Sequence, residues 1–317
     1  MDYKMFFDAP TPFNKAIAAL DAKNALPTSL SSQEIRDQWS ADLRERSFFS
    51  ARMNSADAVQ GAKNIARRVL AGEFNMATAR AEMQDLLDSL GYTPEEGFEG
   101  IEDDIPPAER GSLRDLSSNK RTGLMLQTNV RQMANFAFKK EGETDYALFA
   151  FPCWELVRIY PRRIPRGEKL EKGVIVPAPG EDWPSRWVEC GGVFYEGRMI
   201  ARKDDPIWQE IGSRTRFNDA LDANYPPFAY NSGYGWTEPG REECIELGVI
   251  DHDTVIEGSA SSMNEGLKAA AKFETEFLKV LRDKFNIAIK DDIATLRASG
   301  DASADYLERQ AFGKVTK

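Results

Sequence analysis

The stretch Asp145–Arg163, "DYALFAFPCWELVRIYPRR", is where this chain changes character. Before it, apolar residues recur at helical spacing. From here they crowd into short, partly alternating runs separated by prolines and glycines, the pattern of strands and turns. "GGVFYEGRMIAR" (191–202) has the same texture. The reading is a compact, irregular, mixed β region from Tyr146 to about Ile256, so the fold class is α+β. Within it, "YPPFAYNSGYGW" (225–236) sets Tyr225, Phe228, Tyr230, Tyr234 and Trp236 among prolines and glycines, with no His, Cys, Lys, Arg, Asp or Glu. Those rings are expected to pack against Pro206–Trp208 and close the β region.

Toward the N-terminus the chain reads as punctuated amphipathic helices. Ser31-x-x-Glu34 is a capping box, followed by Ile35, Trp39 and Leu43 at helical spacing. Ser55 and Gly72 bracket a helix with a stripe of Ala58, Ala62, Ile65 and Val69; Asn75 and Gly91 bracket another with Ala79, Met83, Leu86 and Leu90. An acidic, Pro/Gly-rich stretch then precedes a helix carrying Leu126, Val130, Met133 and Ala137. Beyond the β region, Leu267, Ala271, Leu278, Leu281 and Phe285 suggest a long helix over Ser262–Asn286. The expected organisation is a helical N-terminal domain (1–92), an acidic linker (93–111), a mixed α/β core with short strands (112–257), and a C-terminal helix and tail (258–317).

The totals narrow the function classes. With 317 residues, 42% hydrophobic and 29% charged, the composition is that of a folded protein. The net charge of −10 argues against non-specific DNA coating, which depends on neutralising many phosphates. No apolar run approaches the ~20 residues of a membrane helix, so no membrane partner is expected. The opening "MDYKMFFDAPTPF" does not read as a secretion signal. The expectation is a protein acting where it is made, or carried out inside something larger. Cys153, Cys190 and Cys244 form no C-x-x-C pair and read as reduced thiols, and His252 is the single histidine, which disfavours most proton-transfer and zinc chemistries.

His252 lies between Asp251 and Asp253 and reads as a surface turn before it reads as part of a catalytic pair, since nothing marks a nucleophile. Asp204 and Asp205 read as a turn set by Pro206 before they read as a cation site. No catalytic, cofactor-binding or metal residues are expected. The basic stretch Arg158, Arg162, Arg163, Arg166, Lys169 and Lys172, interleaved with Tyr160, suits phosphate contact and base stacking, and also bidentate protein contacts. The acidic whole puts a protein partner or intramolecular pairing first and nucleic acid second.

Four pieces, in order, resemble the phage Mu-type head-morphogenesis family of minor capsid proteins. "KRTGLMLQTNVRQMANF" (120–136) is similar to that family's R-x-x-x-I-x-R-T-N helix at Thr128 and Asn129. "FPCWELVRI" (151–159) is similar to its aromatic strand. "GGVFYEGRMIARKDDPIWQEI" (191–211) resembles its L-x-G-x-V-F-x-x-x-D-P-F-W run at Gly192, Val193, Phe194, Asp205, Pro206 and Trp208. Pro226 and Pro227, then Gly233, Gly235 and Trp236, resemble its P-P-x-G-W-G-C-R-C turn, though its cysteines and a preceding histidine are absent here. Aromatic packing is expected to replace any metal those groups would hold.

The resemblance covers roughly 115–250. It implies a non-enzymatic minor head protein of a tailed phage or prophage, binding the portal protein and/or major capsid protein as part of a larger assembly. Packaged DNA is a further candidate partner. Such a protein would occupy the host cytoplasm during assembly and then the virion, in the head interior or at the portal vertex. Two rivals stand beside it: a DNA-binding or DNA-stabilising internal head protein, and a nuclease or transferase on the same scaffold.

Overall fold

The computed structural model describes residues 10–39, 41–101, 105–160, 168–172, 174–177 and 182–258, with short strands at 269–270, 287–290 and 293–296. It is a mixed α+β protein. Its contacts divide it into two units, the described residues of 1–130 with the three late strands, and those of 131–260.

The first unit follows its capping signals. It contains α1 (Pro10–Asp21), β1 (Asn24–Ala25), α2 (Ser32–Gln38), α3 (Ala41–Arg46), β2 (Ser47–Phe48), α4 (Ala56–Leu70) and α5 (Met76–Ser89). Both halves of the capping box form: Glu34 N–H donates to Ser31 Oγ (3.3 Å) and Ser31 N–H to Glu34 Oε2 (2.7 Å). Ser55 Oγ accepts from Ala58 N–H (3.2 Å), and Asn75 Oδ1 from Ala77 and Thr78 (2.9 Å each). Gly72 and Gly91 close α4 and α5 at φ 76° and 67°. The helix opened by Ser31 is shorter than its stripe suggests, because Trp39 turns to extended backbone (φ −96°, ψ 133°). The chain re-enters helix as α3, and β2 then pairs in parallel with β1.

The buried stripe of α4 is Ala58, Ala62 and Ile65 as expected, widened by Val59, Ala66 and Leu70, while Val69 is half-buried. In α5 the steps of four from Ala79 to Met83 continue to Leu87, so Leu87 is buried in place of Leu86 and Leu90. The acidic stretch has local order of its own. A bridge between Thr93 and Gly97 closes a turn, Phe98 is buried against Tyr92, and Arg110 pairs with both oxygens of Glu95.

The division falls within α6 (Asn119–Gly142). The next stretch, expected to be β-rich, begins instead as α7 (Asp145–Ala150). Thr144 caps it, its Oγ1 accepting from Ala147 N–H (3.4 Å), and Pro152 lies just beyond its end. Capping chemistry decided this segment over apolar crowding. Then come β3 (Cys153–Arg158), the separate hairpin β4 (Glu168–Glu171) and β5 (Val174–Pro177), α8 (Trp183–Glu189), β6 (Phe194–Tyr195), β7 (Arg198–Arg202), α9 (Ile207–Glu210), β8 (Tyr234–Thr237) and α10 (Arg241–Glu246). The sheet order is β6-β7-β3-β8 and every pairing is antiparallel. β3 is interior: Glu155 faces Ile200 on one side and Thr237 on the other.

The long C-terminal helix lies outside the described residues except at Ala269–Ala270, and there the expectation is corrected. β9 (Ala269–Ala270) pairs with β11 (Ile293–Leu296), which also pairs with β10 (Ile287–Lys290), so its backbone groups bond across a sheet and not along a helix. No helix among the described residues is long and apolar enough to cross a membrane.

Candidate functional site

The second unit is built around indole and phenyl rings. β3 and β8 bring Trp154 and Trp236 face to face, ring centres 4.5 Å apart and planes within 6°. α9 turns Trp208 edge-on to Trp236 at 5.3 Å, and Phe228 meets Trp236 at 5.7 Å. Trp187 and Trp183 join from successive turns of α8, Trp187 against Trp208 and Trp183 against Phe228 and Tyr234. From α6, Phe136 meets Tyr225 and Phe138 meets Trp154. Such rings bury ~150–250 Å² each, enough to order a region poor in regular structure.

Most residues singled out from the sequence in 205–236 act in this packing. Asp205 Oδ1 accepts from Ile207 N–H (2.8 Å) and Pro206 starts α9, which aims Trp208 inward; Trp208 Nε1–H then donates to Arg202 O (2.8 Å). Pro226–Pro227 is a cis peptide between buried Tyr225 and Phe228. Gly233 O accepts from Ile159 and Tyr160 N–H (2.9 and 3.0 Å), continuing the β3–β8 pairing past the strand ends. Gly235 lies under Ile159, whose Cδ1 a Cβ would strike. Of the five rings in 225–236, Trp236 and Phe228 do meet Trp208, while Tyr225 and Tyr234 pack on Phe136 and Trp183. Tyr230 stays 38% exposed, a correction to its expected burial. Thr128 and Asn129 are not among the cluster's residues; they are half-buried on α6, where Asn129 Nδ2–H bonds back to Met125 O (3.0 Å).

Two buried cations brace the cluster, and a half-exposed arginine bridges the sheet beside it. The ammonium of Lys203 donates to Gly142 O and Glu238 Oε1 (2.7 Å each) and lies 4.2 Å from the Trp154 ring. Burial pushes its pKa down, and the Glu238 carboxylate opposes that shift. Arg186 pairs with Asp219 (2.6 Å) and lies over both Phe217 and Trp183. Arg198 grips Glu155 through two bonds (2.9 and 2.8 Å) and reaches Glu243 (2.7 Å), holding the Glu155 carboxyl below its ordinary range. The Lys203 site had no sequence signal. Trp183 and Trp187, spaced by four, carry a helical signal within a stretch whose composition otherwise suggests strands.

The basic stretch is divided. Arg158 is exposed, with its guanidinium 5.0 Å over the Tyr234 ring, and Arg131 stands 3.9 Å over Tyr160. Arg162, Arg163 and Arg166 lie outside the described residues. Lys169 belongs to β4, and exposed Lys172 sits in the turn of that hairpin at φ 49°.

The acids and the histidine do not converge. Both Asp204 oxygens accept from Arg202 (2.9 and 2.6 Å), Asp205 is engaged as described, and His252 is exposed. Among the described residues no group of three or more His, Cys, Asp or Glu side chains is placed to hold a metal. Cys153 and Cys244 are buried free thiols; Cys244 Sγ–H donates to Pro239 O (3.7 Å), and the neighbouring Cys244 thiol together with burial drives the Cys153 pKa well above the thiol range. Cys190 is pushed up to about 11, mainly by burial.

Comparison with protein families, with characterised proteins and with solved structures found no match. The functional reading therefore rests on the chain's own residues. They form an aromatic core in which the cations Lys203 and Arg186 are themselves buried.

Proposed function

We propose that this chain is a structural minor head protein of a tailed phage or prophage, binding the portal protein or the inner capsid during head assembly. Its work is binding, without catalysis, first in the host cytoplasm and then in the virion. The observation that carries the reading is the placement of Asp205, Pro206, Trp208, Pro226, Pro227, Gly233, Gly235 and Trp236. These residues, which resemble motifs of minor capsid proteins, lie in or beside one aromatic packing unit, and among the described residues they surround no cluster of His, Cys, Asp or Glu placed to hold a metal. Arg158 and the basic stretch that follows it supply the partner contact.

Co-expression with the portal and major capsid genes of the same genome tests this. The chain should co-purify with one of them, and Arg158→Glu with Lys172→Glu should reduce the yield of complex. A chain that co-purifies with neither protein and is missing from purified particles would end the proposal.

A second reading, DNA contact inside the head, is favoured by the Arg158–Tyr234 and Arg131–Tyr160 pairs, since arginine–aromatic surfaces suit exposed bases and phosphates. It predicts DNA binding at low salt, by phosphate contact to duplex and by added base stacking to single strands, that falls steeply as salt rises. No shift of labelled duplex or single-stranded DNA at low salt would remove it.

A further inference from the structure

The three most exposed of the large apolar side chains described are Val255, Tyr146 and Phe149, at 78, 75 and 68%. They occur together. Tyr146 and Phe149 stand one turn apart on the outer side of α7, while Ala147 and Leu148 take its buried side. Arg241, the first residue of α10, joins them to the loop that follows that helix. Its guanidinium lies 5.1 Å from the Phe149 ring, and it donates to Phe149 O (3.4 Å), His252 O (3.0 Å) and Thr254 O (2.7 Å). Val255 follows Thr254 directly, and exposed Phe151 follows α7. Single exposed apolar residues are ordinary, but contiguous ones mark contact sites. Here one guanidinium fixes the backbone around a patch whose side chains point outward.

In the segments that form this patch, the exposed aspartates and glutamates are offset by one arginine, Arg241. Exposed Asp145 precedes Tyr146, exposed Glu242 follows Arg241, and exposed Asp251, Asp253 and Glu257 flank Val255. Arg241 is the single Lys or Arg in 145–151, 241–243 and 251–258, and three backbone carbonyls engage it.

We propose that the Tyr146/Phe149/Phe151/Val255 face docks a basic amphipathic helix of a partner protein. Apolar residues recurring along one side of that helix cover the aromatic centre, and its flanking lysines or arginines meet the acidic rim. The apolar centre carries most of the affinity, and the rim sets approach and register. This inference is independent of the head-assembly reading, because it rests on exposure and charge alone.

The test uses the full chain and a labelled Leu/Lys peptide patterned as an amphipathic helix, with a Leu/Glu peptide of the same pattern as control. Anisotropy should report binding of the Leu/Lys peptide only. Tyr146→Ser with Phe149→Ser should weaken it by about tenfold or more, as expected for central anchors. Both side chains are exposed, so an unchanged melting temperature will certify the variant's fold. Asp251→Asn, Asp253→Asn and Glu257→Gln together should flatten the salt dependence. Equal binding of the Leu/Glu peptide, or affinity indifferent to the Tyr146/Phe149 change, overturns the proposal. So does concentration-dependent dimerisation abolished by that change, which would make a second copy the occupant.

Discussion

The two units reach order by different routes. In the first, α4 and α5 bury small and medium side chains (Ala58, Ala62, Ile65, Ala79, Met83, Leu87) spread evenly along capped helices. In the second, five of the chain's six tryptophans gather in one cluster, connected by short strands and loops. A core of many modest contacts tolerates local loss. A core of a few large rings concentrates its stability in them, and the difference should be visible in mutational responses.

The largest effect belongs to the stacked pair. Trp236→Ala and Trp154→Ala should each cost ~3–5 kcal/mol in urea unfolding, the range for deleting a buried large aromatic. The double variant should lose less than the sum, because both singles break the same stack. Strict additivity would mean the stack is incidental to the core.

Next comes Lys203→Met, which leaves Glu238 and the Gly142 carbonyl without their cation. Breaking a buried pair in this way costs ~3–5 kcal/mol, with the lower end expected because Glu238 retains some exposure. A neutral result would show that the ammonium contributes nothing to holding the rings.

A buried lysine in the helical unit gives a pH test. Lys23 is 3% exposed, and burial lowers its pKa to about 8 from 10.5. The folded form binds its proton more weakly than the unfolded form, so stability rises with pH between about 8 and 10.5. Below about pH 8 the group is charged in both states and its full penalty is present. Lys23→Met should raise the melting temperature at neutral pH and remove that alkaline rise; a wild-type curve flat over this window would contradict the assignment.

The smallest effect is a cap. Ser55→Ala should cost ~1 kcal/mol. It should shift the helical circular-dichroism transition more than tryptophan emission, since that emission comes mostly from the second unit. A common shift of both signals would mean the chain unfolds as one, and the contrast between the units would then be one of construction alone.

The same contrast explains what could be read from sequence. Ser31, Ser55, Asn75, Gly72 and Gly91 act on neighbours a few residues away, so their roles are written locally. Trp39 and Leu87 escaped the reading, since a helix can leave its axis or shift its buried face without changing composition. The stacking of Trp154 on Trp236 depends on strand pairing across 82 residues, from Glu155 to Thr237, and no short window carries that register. The Asp205–Trp208 and Pro226–Trp236 motifs marked where the aromatic core would lie. They could not show that α6 and α8 would contribute rings, or that Lys203 would be buried among them. In α7, the cap at Thr144 was present in the sequence but was outweighed by the apolar run behind it.

The central place of β3 also has a consequence in time. As the ribosome extends the chain, Trp154 emerges long before Trp236, and at ~5–20 residues per second the intervening synthesis lasts several seconds or more. During that interval α4 and α5 have everything they need to pair. β3 waits for β7 through about the first half of it and for β8 to its end, and until then its indole lacks the ring it stacks on. A newly made second unit thus passes through a sticky adolescence that the helical unit is spared, and this is the window in which chaperones have most to offer.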